Sequence, residues 1–248
     1  MWIGWQNKFD ASSLSSPAAA SGLPVQNVQL NPAAFVWRTT ATTTYALADA
    51  GSAVTWRLFF IAATNLTSAA TYRIRLGSTS AVTDFDTGTL SAGIISGYNY
   101  FPVLLGADQT CQYARIDLTD TSLSFIDVGR IFGGPAWQPS IGSSFGARFG
   151  YLDLGISQKT PAGQIVTTKS AGRPRFEEFS LEYLSETEAI DNLLNIDRAA
   201  GTNADIAVLI DPDNRLIERS VYGPYIVTPI THQLSTSYAK QFQVEQRL

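Results

Sequence analysis

Apolar and polar residues alternate over much of the chain between residues 35 and 137, a pattern that predicts β-strands. The run Thr71–Leu76 alternates throughout, with three apolar residues on one face and two arginines on the other. The run Val54–Ile61 alternates at first and then becomes wholly apolar, as central strands do. Similar runs follow at Tyr113–Leu118 and Phe125–Phe132, with turn residues rather than helical patterns between them. This order predicts an antiparallel β-sandwich.

The C-terminal part of the chain carries the strongest helical signal. Ser185 and Glu188 stand three residues apart, as in a capping box, where each side chain bonds the backbone N–H of the other residue. Gly201 follows at the point where a helix can end in a positive-φ residue. The apolar residues that we expect to face inward are Ala189, Ile190, Leu193 and Leu194. A short helix near residues 185–200 is therefore predicted within a second region rich in strands.

These patterns divide the chain into two predicted parts. Residues 1–140 are expected to form an N-terminal arm and the sandwich, and residues 141–248 a β-rich module with one short α-helix. The boundary is expected inside the segment 141–172, which is rich in Gly, Ser and Thr. The predicted fold class is mainly β.

Three aromatic residues lie close to the N-terminus: Trp2, Trp5 and Phe9. They precede the segment Asp10–Pro32, which is rich in Ala, Ser and Pro and is expected to run over the surface as extended chain. Rings so close to a terminus need burial somewhere. They either cover an edge of their own domain or form an arm that docks on a neighbouring subunit, and the sequence leaves both open.

Composition excludes several functional classes. The net charge is −4 and the isoelectric point is near 5.0, so there is no basic field to hold a nucleic-acid backbone. No apolar run is long enough to cross a bilayer, and the first residues lack the basic and apolar regions of a signal peptide.

The single cysteine, Cys111, lies in a predicted strand and is expected to be a small core residue rather than a nucleophile.

Catalytic constellations are scarce in the sequence. The chain has one histidine, His232, which is expected in a loop, and any Ser-His-Asp or Cys-His arrangement would have to use it. The segment Gly142–Gly146 only approaches the pattern of a nucleophile elbow. One histidine and one cysteine do not supply a usual zinc ligand set. The sequence therefore predicts no catalytic residue, no metal site and no cofactor.

Neighbouring carboxylates need separate consideration because a glycosidase requires only two of them. The candidate pairs are Asp84 with Asp86, Glu177 with Glu178, and Asp211 with Asp213. The first and third pairs have turn compositions, and the second is expected to point to opposite faces of a strand. Calcium beside Asp211, Asp213 and Asn214 is a further possibility, since hard cations bind clustered oxygens, but a plain turn is favoured.

Aromatic residues that follow turn signals are the best candidates for contact with a ligand or partner. Tyr98 and Tyr100 come directly after Gly97, and Trp137 follows a Gly-Gly-Pro turn. Exposed rings at such positions stack on sugars or anchor protein interfaces. The alternative is that they close the ends of the sandwich.

The order of these motifs resembles that of a known domain type. The Trp56-Arg57-Leu58 strand, followed late in the domain by the run Ile126–Arg130, is similar to the galactose-binding-like (discoidin-type) jelly roll. The resemblance covers about half of the chain and implies a jelly-roll sandwich. Segments Asp84–Gly88 and Pro135–Ser140 resemble versions of this domain in virion proteins of tailed bacteriophages.

The C-terminal order of strand, helix, apolar strand, Asp-Pro turn and terminal strand resembles the β-rich module of phage tail-tip and distal-tail proteins, whose copies form a ring. This resemblance implies a structural virion protein of the tail tip or baseplate, made in the host cytoplasm, which assembles with itself and with other tail proteins. The alternative is a carbohydrate-binding module that recognises a host-surface glycan through Trp137 and Tyr98. A weaker alternative is a cell-surface polysaccharide hydrolase.

Overall fold

The computed structural model describes residues 1–169, 172–201, 203–234 and 236–247, and every strand pairing is antiparallel. Leu248, with which the predicted second module ends, lies outside the described residues. The strands before residue 140 are β1 Trp2–Gly4, β2 Ser13–Ser15, β3 Trp37–Thr39, β4 Thr43–Thr64, β5 Thr71–Gly77, β6 Phe85–Asp86, β7 Leu90–Ser91, β8 Phe101–Thr119 and β9 Ile126–Gly134. Short 3₁₀ helices at Phe9–Ala11 and Val25–Gln29 accompany them.

Two long strands, β4 and β8, lie at the centre of an eight-stranded sheet with the order β3-β9-β4-β8-β5-β6, to which β2 and β7 add at β4 and β5. The first half of β4 pairs with β2 and with the end of β8, and its second half pairs with the start of β8 and with β9. The register shifts between Asp49 and Val54, where Gly51 has a φ of +72°. Such an irregularity lets one strand bend and pass from one layer into the other. The sequence pattern showed only parts of these strands, because the bends interrupt the alternation.

Aromatic side chains fill the core of the sandwich. Trp56 and Phe59 stack with ring centroids 5.7 Å apart, and Phe9 meets Trp56 edge-on at 5.8 Å. The indole N–H of Trp56 donates to the carbonyl oxygen of Cys111 at 2.9 Å, so its one polar atom is satisfied inside the core. Cys111 is buried, which confirms its predicted place as a small core residue.

The predicted strand at residues 71–76 is confirmed as β5. Ile74 and Leu76 are fully buried on one face, and the two arginines lie on the other. Both guanidinium groups find carboxylate partners on adjacent strands, Arg73 with Asp86 of β6 and Arg75 with Asp117 of β8.

The C-terminal part forms a second set of strands, and its buried side chains divide between a core that includes Ile3 and the core of the sandwich. Its strands are β10 Arg148–Tyr151, β11 Ile156–Lys159, β12 Ile165–Thr168, β13 Arg175–Leu184, β14 Ile206–Leu209, β15 Ser220–Gly223, β16 Thr231–Leu234 and β17 Ser237–Glu245. One sheet has the order β10-β13-β17-β16, a second has the order β1-β14-β15, and β11 and β12 form a separate hairpin. The pairing of β1 with β14 places residues 2–4 in a sheet of the C-terminal module.

The predicted capping box is confirmed at the start of the helical segment. The Ser185 hydroxyl accepts from the Glu188 backbone N–H at 3.2 Å, and the Glu188 carboxylate accepts from the Ser185 backbone N–H at 3.1 Å. The segment then forms a π-helical stretch at Glu188–Leu193 and the α-helix α1 at Leu194–Ala199.

The inward face of this helical segment differs from the prediction at two positions. Ala189, Leu193 and Ile196 are fully buried or nearly so, whereas Ile190 is 50 % exposed and Leu194 is only partly buried. The prediction that Ile190 faces inward is therefore wrong. A π-helical turn holds more residues than an α-helical turn, so the apolar stripe does not keep the 3.6-residue period that the prediction assumed.

The N-terminal aromatic residues pack on their own chain. Phe9 has no exposed surface and lies against Gly133, where an added Cβ atom would come within 2.6 Å of its ring. Phe9 therefore offers no surface to a neighbouring subunit, which corrects its assignment to a docking arm. Trp2 is half-buried beneath the guanidinium of Arg57, at 4.5 Å, and Trp5 is half-buried against the C-terminal core. An inter-subunit role for the exposed parts of Trp2 and Trp5 stays a prediction.

Candidate functional site

A cleft with a volume of about 380 Å³ lies between the sandwich and the C-terminal module. The sandwich contributes the loop between β7 and β8, and the module contributes the end of β10, the start of β13 and the residue after β17. The residues that line it include Tyr98, Asn99, Tyr100, Tyr151, Arg173, Arg175 and Gln246. Clefts between two packed units are common places for ligand binding, and this one brings aromatic and hydrogen-bonding groups together.

Backbone hydrogen bonds fix the loop that carries Tyr98. The Tyr98 N–H donates to the carbonyl oxygen of Ile95 at 3.0 Å, and the intervening Gly97 has a φ of +91°, which closes the turn. The carbonyl oxygen of Asn99 accepts from the Thr64 N–H at 2.9 Å, which ties the loop to the end of β4. The Tyr98 ring is therefore presented on a rigid support rather than on a free loop.

The Tyr98 ring is held from two sides. Tyr100 meets it edge-on with the ring centroids 5.7 Å apart, and the guanidinium carbon of Arg175 lies 5.3 Å from its centroid. Burial raises the pKa of the Tyr98 hydroxyl, so this hydroxyl stays protonated at neutral pH and can donate a hydrogen bond. Tyr98 is half-buried, which leaves part of the ring available to a ligand.

Tyr100 supports the cleft from below rather than contacting a ligand. Its side chain is only 2 % exposed, and its hydroxyl lies 3.0 Å from the carbonyl oxygens of both Ile217 and Ser220. The same hydroxyl accepts a hydrogen bond from Arg175. The prediction that Tyr100 contacts a glycan or partner is corrected, because its polar atom is used within the chain and its ring packs on Phe60.

A buried pair of charges lies behind the cleft. Arg175 is 4 % exposed and donates to the carbonyl oxygen of Ser220 at 3.1 Å, and Glu177 has no exposed surface. The carboxylate of Glu177 lies 3.5 Å from Arg175 and 4.0 Å from Arg219. Burial raises the pKa of Glu177 to about 7, although Arg219 and Arg175 both act to lower it. Arg175 and Glu177 both belong to β13, and the bond from Arg175 to Ser220 joins this strand to β15 beneath the cleft.

The sequence predicted that Glu177 and Glu178 point to opposite faces of their strand. It did not predict that the Glu177 side chain is fully buried. The signal was present, because Arg175 and Glu177 occupy the same alternating positions as the buried Phe179 and Leu181. Charged residues in phase with a buried face indicate a buried ion pair.

The open side of the cleft is polar and exposed. Tyr151 is 57 % exposed, and Asn99 and Arg173 are also exposed. The side-chain amide of Gln246 donates to the side-chain oxygen of Asn99 at 3.2 Å and so bridges the module and the sandwich. Arg173 pairs with Asp153 at 3.1 Å on the surface. A ligand would meet ring faces, amides and a guanidinium together.

Trp137 lies elsewhere in the molecule. It is half-buried against the C-terminal core, and its backbone N–H and carbonyl oxygen both pair with Ile3, at 2.8 and 2.9 Å. The cleft that contains Tyr98 does not include it. Trp137 therefore does not share this cleft with Tyr98, and contact of its exposed part with a glycan or partner stays a prediction.

The candidate carboxylate pairs have structural partners. Asp84 accepts from the backbone N–H of Ser78 at 2.7 Å, and Asp86 pairs with Arg73, which lowers the pKa of Asp86 to about 2. Asp211 accepts from the Asn214 backbone N–H at 3.1 Å, as expected for a plain turn.

The single histidine also has a structural setting. His232 lies in β16 rather than in the expected loop, and its ring stacks on Tyr238 at 4.6 Å. Among the described residues, no group of three or more His, Cys, Asp or Glu side chains is placed to hold a metal ion. In the same residues, no helix has the length and apolar character needed to span a membrane.

No protein-family profile matches this chain, and no curated protein matches it. Several solved structures match about half of it. A fucose-binding module of Streptococcus pneumoniae matches with a TM-score of 0.43 at 10 % identity, covering 53 % of this chain and 96 % of its own. The lectin domain of Lectinolysin, solved with Lewis B antigen, matches with a TM-score of 0.42 at 12 % identity, covering 52 % and 95 %.

A third match is chitosan-binding module 1 from a chitosanase/glucanase of Paenibacillus sp. IK-5, with a TM-score of 0.40 at 11 % identity, covering 52 % of this chain and 99 % of its own. These three structures are binding modules or lectin domains, and none of the three is a phage protein. TM-scores below 0.5 are too low to carry their ligands over to this chain.

Proposed function

We propose that this protein is a non-catalytic binding protein and that the cleft around Tyr98 and Tyr151 binds a carbohydrate. The observation that carries the proposal is the placement of two accessible tyrosine rings beside a row of hydrogen-bonding groups from Asn99, Gln246 and Arg173. The C–H face of a sugar packs on an aromatic ring, and its hydroxyl groups need donors and acceptors around the rim.

The support beneath the cleft fits binding rather than turnover. Tyr100 and Arg175 are buried and spend their polar groups on one another and on backbone carbonyls. Such a base preorganises the loop that carries Tyr98, which lowers the entropy cost of binding a ligand. Among the carboxylates considered for hydrolysis, Asp84, Asp86 and Asp211 are held in turns and a surface ion pair and do not line this cleft.

A glycan array followed by isothermal titration calorimetry tests the proposal with the full chain. We expect Tyr151→Ala to weaken binding of any array hit by about tenfold, since stacking of one ring contributes about 1.4 kcal/mol. Phe35→Ala is the matched control, because Phe35 is 53 % exposed, close to the 57 % of Tyr151, and lies outside the cleft. A broad array with no signal, or equal losses in both variants, would overturn the proposal.

An assembly subunit is the second candidate, favoured by a concentration of exposed apolar side chains in one stretch of the module. Each is more than half exposed: Phe145, Phe149, Leu154, Ile156, Ile165 and Val166. Monomeric soluble proteins rarely leave such a group uncovered. Every residue of β11 and β12 is exposed, and a two-stranded hairpin is marginally stable alone, so a covering partner would stabilise it.

A second copy of the chain is the partner that this candidate names. The hairpin region 154–169 carries Lys159 and Lys169 and no acidic residue, whereas the chain as a whole has a net charge of −4. The hairpin of one copy is therefore complementary in charge to the rest of another. The expected place in a ring at the tail tip or baseplate of a tailed phage, in contact with other tail proteins, belongs to this candidate.

Sedimentation velocity over a range of concentrations tests the assembly candidate. We expect the protein to form a discrete oligomer and the double variant Ile156→Ser with Ile165→Ser to remain monomeric, because it removes apolar area from both hairpin strands. Mass spectrometry of purified phage particles then tests the location. A protein that is monomeric at every concentration and absent from the particles would contradict this candidate.

A further inference from the structure

Arg173 lines a second cleft as well as the first. This second cleft has a volume of about 350 Å³ and lies along the hairpin, where Asp153, Ser157, Thr167 and Lys169 contribute to its walls. Because Arg173 belongs to both clefts, they adjoin at its side chain. We call the two adjoining clefts together the groove, and its lining residues extend from the tyrosine rings through Arg173 to Lys169.

The groove is more basic than the rest of the molecule. Arg173, Arg175 and Lys169 line it, and Asp153 is its one acidic lining residue in the described part of the chain. The protein as a whole has a net charge of −4. A basic groove on an acidic protein favours an anionic ligand locally while the remaining surface repels it.

Arg173 is placed to exchange its present partner for a ligand. Its side chain is 64 % exposed, and it pairs with Asp153, which is 62 % exposed, through one contact of 3.1 Å. An ion pair exposed to this extent contributes little free energy, so it is easily broken. A guanidinium can bind a carboxylate through two parallel hydrogen bonds, which the present single contact leaves unused.

We propose that the ligand of this groove is an extended acidic polysaccharide, whose sugar rings stack on Tyr98 and Tyr151 and whose carboxylates pair with Arg173 and Lys169. This inference rests on the proposed carbohydrate binding and adds the substrate class. The groove continues beyond the tyrosine cleft, so it accommodates several consecutive sugar units rather than one terminal residue.

Calorimetry with a matched pair of polymers tests the inference. Oligomers of polygalacturonate carry one carboxylate for each sugar, and their methyl esters have the same backbone without the charge. We expect the full chain to bind the acid form about tenfold more tightly than the ester, because the ion pairs of Arg173 and Lys169 with the ligand should each add about threefold. Binding of the acid form should also weaken as salt is added.

Substitutions in the groove locate the effect. Arg173→Gln and Lys169→Gln should each reduce affinity for the acid form about threefold to tenfold and leave affinity for the ester nearly unchanged. Asp153→Asn should increase affinity for the acid form, because it frees Arg173. Lys159→Gln is the matched control, since Lys159 is exposed on the same hairpin but lines neither cleft.

The outcomes separate the inference from the proposed function. Equal affinity for acid and ester would overturn the acidic ligand and leave carbohydrate binding standing. Binding of neither polymer, together with an empty glycan array, would overturn both. Binding of the acid form that Lys159→Gln weakens as much as Arg173→Gln, and that Tyr151→Ala leaves unchanged, would show non-specific charge attraction and so contradict the groove.

Discussion

One ion pair of the sandwich and one of the C-terminal module differ in their exposure, although both regions are built from antiparallel strands. In the sandwich, Arg75 and Asp117 pair on the outer face, with 22 and 20 % of their side chains exposed. In the module, Lys240 has no exposed side-chain surface and pairs with Asp197 at 2.6 Å. Water competes for the first pair but much less for the second, so the second pair depends more strongly on the match between its two charges.

The two apolar cores also differ in size. The sandwich buries a large aromatic cluster that includes Trp37, Trp56 and Phe132. The module has a smaller core around the stacked rings of Phe179 and Phe242, 5.0 Å apart. A smaller apolar core leaves more of the stability to polar networks. Arg175, a buried charge of the module, also lines the cleft, where it contacts Tyr98 and Tyr100 of the sandwich.

The substitution with the largest expected effect on stability, Lys240→Ala, tests the difference between the two ion pairs. Lys240→Ala should lower the free energy of unfolding by about 3–5 kcal/mol, because Asp197 would keep its charge in a largely buried place without its partner. Arg75→Ala should cost less than about 1 kcal/mol, since its pair is partly hydrated already. Urea denaturation of both variants measures the two costs, and equal losses would contradict the contrast between the regions.

The sequence predicted features that depend on neighbouring residues and missed those that depend on distant ones. The capping box of Ser185 and Glu188 is a local arrangement and was predicted in full. The bridge from Gln246 to Asn99 joins residues 147 positions apart, and no local pattern encodes it. The cleft exists only because such contacts bring the two regions together.

The same reasoning explains the outcomes for the candidate site residues. The sequence predicted Tyr98 as a contact residue because an aromatic residue directly after a turn glycine is a local signal. In the structure, Tyr98 lines the cleft. Tyr100 carries the same signal but is buried, because Ile217, Ser220 and Arg175 from the module surround its hydroxyl. Tyr151 and Arg173 were not predicted as site residues. They form a cleft only together with the sandwich loop, which is distant in the sequence.

A pH-dependent effect is expected from the buried Glu177. Its pKa rises from 4.5 in the unfolded chain to about 7 in the folded protein, chiefly because of burial. Between these values the folded protein holds a proton that the unfolded chain has lost, so the free energy of unfolding falls as the pH rises. Glu177→Gln removes this loss, and the variant should be more stable than the parent by about 2 kcal/mol at about pH 8.

Glu178→Gln is the matched control for this prediction. Glu178 is the next residue, faces the other side of β13 and pairs with Arg148, which is 75 % exposed. Urea denaturation at several pH values should show a flatter profile for Glu177→Gln between about pH 4.5 and 7 and a profile parallel to the parent for Glu178→Gln. Parallel profiles for all three proteins would mean that Glu177 does not take up a proton on folding.

The smallest expected effect concerns the helical segment that covers the module core. Ser185→Ala should cost about 1 kcal/mol, because the Glu188 N–H loses its acceptor. Burial alone would raise the pKa of Glu188, but hydrogen bonds from Ser140 and Ser185 lower it overall, so its contribution to stability is lost as the pH falls. The cost of Ser185→Ala should therefore shrink in acid. Ser157→Ala, on the exposed hairpin, is the control, and an equal cost for both variants would show that the module core does not depend on its capped helix.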